Sequence, residues 1–151
     1  MSRQIKFRAW DAEQNKMIEI FDGEYQIQVN EEDGTIYCGG YMSNGDWNEP
    51  PLMQFTGLLD KNGIEIYEGD ILCNYEHQNW EWRGIVKFSH GVFGAEWFAN
   101  MKNQSMVGSW GQKHNLRKLD DDIIERQIVI GNIYENPELL EDPQQTNKQN
   151  K

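Results

Sequence analysis

Apolar residues recur at every second position through most of this chain. They come in short runs closed by Gly, Asn, Asp or Pro, and that pattern confines the fold to short, half-buried strands joined by tight turns. In Gln4–Trp10, Ile5, Phe7 and Ala9 alternate with Lys6 and Arg8. A polar turn at Asp11-Ala12-Glu13-Gln14-Asn15 then leads to a second strand at Met17–Phe21, which makes a hairpin. Tyr25, Ile27 and Val29 alternate with Gln26 and Gln28, and Glu31-Glu32-Asp33-Gly34 turns the chain into Thr35–Cys38. Gly39–Pro51 holds three Gly and two Pro and is expected to be a loop, with a sub-block boundary between residues 39 and 51.

Strand signals resume at Leu52–Gly57 and again at Ile64–Tyr67, across Asp60-Lys61-Asn62-Gly63. Asn-Gly there is expected to take positive φ at both central positions of a tight hairpin. Glu68-Gly69-Asp70 breaks the chain before Ile71–Tyr75, and Trp82–Phe88 pairs with Phe93–Phe98 across Ser89-His90-Gly91. Helix signals are weaker. Asp120 and Asp121 can cap a short helix through Glu125, and Asn136 with Pro137 starts one closing turn to Leu140. Gln127–Tyr134 is an apolar run that reads as a buried strand. The expected fold is mainly β, a small barrel or sandwich with few short helices. One domain is expected over residues 1–140, followed by a disordered tail over 141–151, too polar to bury anything.

Composition narrows the function classes. No apolar run approaches the roughly 18–20 residues of a membrane helix, so no membrane partner is expected. The basic start has no apolar stretch behind it, so no secretory signal is expected either. Cys38 and Cys73 lack a CxxC partner and fit buried free thiols in a reducing cytoplasm. The formal net charge is −11, laid out unevenly. Residues 11–76 carry fifteen acids against two bases, whereas residues 77–119 carry six bases against two acids. An acidic chain is repelled by a phosphate backbone, and only the basic segment could escape that rule.

No catalytic pattern stands out. Glu68 and Asp70 would share a face on a strand, as an acid–base pair does, but Asp beside Gly suits a turn in which the carboxylate bonds backbone amides. His77, His90 and His114 are too dispersed to suggest a metal site, and Asp120-Asp121-Asp122 lacks the Gly and Glu positions of a calcium loop. No phosphate-binding glycine loop or nucleophile elbow occurs. No cofactor, metal or catalytic residue is expected, and the chain reads as a non-enzyme.

The run LMQFTGLLDKNGIEIYEGDIL at Leu52–Leu72 resembles the signature of the YopX family of small bacteriophage and prophage proteins. IKFRAWD at Ile5–Asp11 with Met17-Ile18 is similar to that family's opening strand, and VIGNIYENPELL at Val129–Leu140 to its closing segment. The resemblance implies a phage-encoded protein of the bacterial cytoplasm, with a β-rich fold that includes an SH3-like barrel. It implies no established activity and no catalytic residues. In the matched runs Gly57, Gly63 and Gly69 sit at sharp bends, and Phe55, Leu58, Ile64, Ile66 and Ile71 supply the apolar positions of strands folding onto one another.

One concentration of residues stands above this background. Trp80, Trp82, Trp97 and Trp110, with Phe88, Phe93 and Phe98, fall with Arg83 and Lys87 inside the basic segment. Trp80 and Trp82 would face one side of a strand while Glu81 and Arg83 face the other, so stacking and charge would not share that surface. The preferred reading is core packing or an aromatic patch for protein contact: a host or phage protein, or a second copy of the chain. The alternative is a single-stranded nucleic-acid groove over residues 77–119 that stacks bases on these rings.

Overall fold

A computed structural model describes residues 4–20, 26–41, 47–77, 80–101, 116–119 and 124–140, with backbone alone at 41, 47–48, 75–77, 80–82 and 98–101. The protein is mainly β. The strands are β1 (Phe7–Asp11), β2 (Lys16–Glu19), β3 (Gln26–Val29), β4 (Ile36–Tyr41), β5 (Trp47–Asn48), β6 (Leu52–Leu59), β7 (Glu65–Tyr67), β8 (Asp70–His77), β9 (Trp80–Ser89), β10 (Val92–Met101), β11 (Arg117–Lys118) and β12 (Ile128–Asn132). A 3-10 turn, η1, covers Pro137–Leu140. No helix among the described residues is long and apolar enough to cross a membrane.

The chain divides into two units between Phe55 and Thr56, inside β6. The sequence suggested a boundary within 39–51. A strand running unbroken through the division leaves no compositional mark there.

In the first unit β1 pairs antiparallel with β2 and with the start of β6. Ile18, Ala9 and Leu52 stand in one cross-strand row. They pack with Ile20, Cys38, Phe7 and Ile27 into a small apolar cluster. Asp11 is fully buried, and its Oδ1 accepts the amides of Glu13 and Gln14 at 2.9 and 3.0 Å, which fixes the β1–β2 turn. β4 pairs with β3 on one side and β5 on the other. Part of the loop expected over Gly39–Pro51 is strand instead: Gly39 pairs with Gln26 and Gly40 with Asn48. Tyr25, expected in the third strand, lies outside the described residues.

In the second unit five antiparallel strands run β11-β10-β9-β8-β12. A row of Val129, Leu72, Gly84 and Trp97 crosses four of them, and the buried cluster includes Ile66, Val86, Ala95, Leu119 and Ile124. Gly84 makes room for the tryptophan: a Cβ placed on it would lie 2.8 Å from the Trp97 indole ring.

The turn geometry expected at Asn62-Gly63 occurs at the other hairpin instead. At Asp60–Gly63 only Gly63 has positive φ, at 81°, while Gly63 N donates to Asp60 O and Asp60 N to Ile64 O. This is a three-residue loop with a left-handed glycine at its end. Asp60 Oδ1 imposes it by accepting the amides of Asn62 and Ile64 at 2.8 and 2.9 Å. Both residues of the two-residue loop His90-Gly91 are instead left-handed, at 52° and 79°. Ile64, expected to be an apolar contact, is 53% exposed because it follows that left-handed glycine at the loop's end.

Three C-terminal expectations shift. β12 is half-buried rather than buried, because it forms the sheet edge, and it bulges between Val129 and Gly131. Asn136 holds the cap position, its carbonyl accepting the Leu139 amide at 3.0 Å, but its side chain turns away: Oδ1 accepts the Asn132 amide at 3.4 Å and lies so close to Gly131 that a Cβ there would meet it at 2.3 Å. The expected helix at 120–125 and the tail at 141–151 fall almost wholly outside the described residues, with only Ile124 and Glu125 described.

Candidate partner-binding surface on the long hairpin

β9 and β10 pair over ten residues each, from Trp80↔Met101 to Ser89↔Val92. Alternation assigns their two faces. Gly84, Val86 and Phe88 oppose Trp97, Ala95 and Phe93 on the core side, while Ile85, Lys87 and Ser89 oppose Glu96, Gly94 and Val92 on the other. β11 continues the pattern, with Arg117 opposite Ala95 and Lys118 opposite Gly94. Near the turn the core runs out. Phe88 is 53% exposed and holds Phe93 through a tilted ring pair with centroids 5.0 Å apart. Val92 is 39% exposed.

Charge surrounds these apolar residues. On the outer face Lys87 and Lys118 flank Gly94, and the Leu116 side chain covers that glycine. Lys87 Nζ lies 2.5 Å from Glu96 Oε2. Arg117 and Lys118 are exposed and form no ion pair among the described residues.

The six residues singled out in the sequence do not converge. Trp97 is 6% exposed inside the core and offers nothing to a partner, because Gly84 leaves the gap its indole fills. Arg83 donates from Nη1 to the Leu139 carbonyl, so it ties β9 to η1. Lys87 is exposed near the turn. Trp80 and Trp82 lie at the far end of β9 with only their backbone described, and Trp110 lies outside the described residues. Val92 is the surface residue missed in the sequence, and Phe88, one of the aromatic residues weighed there, was not among the six. Their signal was available, since an apolar residue on each side of a two-residue turn lies beyond the reach of a small core.

The polar residues of the signature run have structural work. Asp70 is buried, and its Oδ2 accepts the Tyr67 amide at 2.8 Å, closing the bend at Gly69. Asp60 is buried, and its Oδ2 reaches the Val129 amide at 3.0 Å, joining the β6–β7 loop to β12. Cys38 and Cys73 are buried and in no disulfide, and burial pushes the Cys38 thiol above its ordinary pKa. Among the described residues no three His, Cys, Asp or Glu side chains are placed to share a metal ion.

These features define a small antiparallel β protein whose buried carboxylates hold turns and whose apolar surface gathers at hairpin ends. The chain belongs to the YopX protein family, whose model matches residues 6–141. It is similar to a solved structure, protein EF1440 from Enterococcus faecalis, at 30% identity and a TM-score of 0.51. That match covers 93% of this chain and 100% of the other. None of the curated proteins matches the chain.

Proposed function

We propose that this YopX-family chain is a phage-encoded, non-enzymatic binding module of the bacterial cytoplasm that works through protein contact or self-assembly. One observation carries the reading. Asp60 and Asp70 of the signature run lie buried on backbone amides, while Phe88 and Val92 stand exposed on the two faces at the end of the long hairpin, with cations nearby. A general acid or base must reach the proton it transfers, whereas a binding surface needs apolar groups in water's reach with charge at the rim. The SH3-like barrel implied by the family resemblance belongs to the same proposal, with the five-stranded sheet of the second unit as the part that would form it.

The test compares the wild type with a Phe88→Ser/Val92→Ser double variant in cross-linking from phage-carrying host cells. Any captured protein is then purified and titrated back. A purified partner that binds the wild type at least about tenfold more tightly than the variant supports the reading. Equal binding to both, or no partner and no self-association at any salt, sinks it.

The nucleic-acid reading keeps one favourable feature, the exposed Phe88 ring with Arg117 on the same face of the sheet two strands away. It loses Trp97 as a stacking platform. A salt titration with single-stranded DNA decides it, and no binding at low salt eliminates it.

A further inference from the structure

The β3–β4 hairpin of the first unit ends in a surface unlike that of the long hairpin. Its last pair, Val29 and Ile36, stand opposite each other and are 58% and 47% exposed. Beyond them lie Glu31, Glu32 and Asp33, all exposed. The loop is held in shape. Asn30 Oδ1 accepts the Glu32 amide at 2.9 Å, Asp33 Oδ1 accepts the Thr35 amide at 2.8 Å, and Asn30 pairs through its backbone with Thr35 and Gly34. Hydrogen bonds from the Thr35 side chain, and next from its backbone, keep the Asp33 carboxyl below its ordinary pKa, so the loop stays anionic.

The outer face of β9, β10 and β11 offers the complement: Lys118 and Lys87, the latter paired with Glu96, stand either side of Gly94 and the Leu116 side chain over it, with Val92 exposed further along β10. We infer that the chain associates with copies of itself head to tail, the acidic β3–β4 end of one copy seating on the Lys87, Lys118 and Val92 face of the next. This rests on the protein-contact reading above and names its partner. Charge complementarity chooses the occupant. A rigid end with three carboxylates and a branched apolar pair matches two lysines and a valine, and every copy carries both halves at equal concentration. A phosphate backbone would satisfy the lysines but would leave Val92 uncovered. Because the two patches differ, each contact joins unlike surfaces, and the copies either pair reciprocally or continue into rings or filaments.

Sedimentation velocity of the full chain across concentration, at low and high salt, tests this with two exposed-site variants, Lys87→Glu/Lys118→Glu and Glu31→Lys/Glu32→Lys. Circular dichroism checks that both keep the wild-type fold. The wild type should grow in mass with concentration at low salt and revert to monomer at high salt. Each variant alone should associate at least about tenfold more weakly. Mixed at low salt, they should associate again, since the two native halves still fit and the two reversed halves complement each other.

A wild type that stays monomeric at low salt overturns the inference, as do variants that assemble like the wild type. So does a monomer that instead takes up single-stranded DNA through Lys87 and Lys118. A monomer that still captures a separate protein through Phe88 and Val92 removes only the self-association and leaves the broader reading standing.

Discussion

Gly84 shows how much a single missing side chain can decide. The Trp97 ring lies where a methyl group would have to go, and the row that contains both continues through Leu72 and Val129. Gly84→Ala is therefore expected to destabilise the second unit by about 1–3 kcal/mol, the usual cost of overpacking. Urea unfolding followed by tryptophan fluorescence measures it. His90 makes a subtler case, with a left-handed φ that its side chain tolerates better than a branched one. His90→Val should cost about 1–2 kcal/mol, whereas His90→Asn should be neutral or slightly stabilising in the same assay. Asn-Gly suits a turn with two left-handed residues. It is notable that the sequence places Asn-Gly at 62–63, where only one residue takes that conformation. The dipeptide preference was readable there, but the Asp60 carboxylate decided the turn through bonds that a local reading cannot rank.

Between elements, Asp60 is the joint that matters most in the signature run. It holds its own loop through Oδ1 and the Val129 amide through Oδ2, sixty-nine residues away in sequence. Asp60→Ala strands three amides and is expected to cost at least about 2 kcal/mol, while Asp60→Asn turns a donor toward one of them and costs about 1–3 kcal/mol. Chemical denaturation of both variants checks the order.

The turn after β12 carries a pH dependence. Burial, reinforced by the charge of Glu68, raises the Tyr134 phenol above its ordinary pKa. The folded state then holds the phenol proton more tightly than the unfolded chain. Its contribution is complete below about pH 10, the ordinary phenol value, and declines as pH rises through the folded value. Tyr134→Phe should remove that alkaline decline, so parallel urea midpoints for wild type and variant through this range would count against it. Strand existence was legible from alternation in nearly every case. Strand ends were not, because Gly39 and Gly40 lie within β4 through pairing with β3 and β5, partners that local sequence does not reveal.

Across the whole molecule, two separate apolar clusters predict separable stability. Ile20→Ala, deep in the first cluster, should cost about 2–5 kcal/mol and speed amide exchange at Ala9 and Cys38. Exchange at Leu72 and Val86 in the second cluster should remain unchanged. Uniform acceleration across both would show one cooperative unit instead. The charge layout acts at this same scale, with the acidic stretch falling largely in the first unit and the basic segment entirely in the second.

Alternation, turn residues and charge layout by themselves determined that this chain is a β protein of short strands, that Asp70 serves a bend, and that the basic segment lies in the β9–β10 region. These are local properties, set by the two-residue repeat of a strand and the steric demands of a turn. Only the tertiary structure decided that Trp97 is core while Phe88 and Val92 are surface. All three are apolar residues in the same hairpin. What separates them is distance from the turn, and a small core covers only the part of the hairpin that other elements reach.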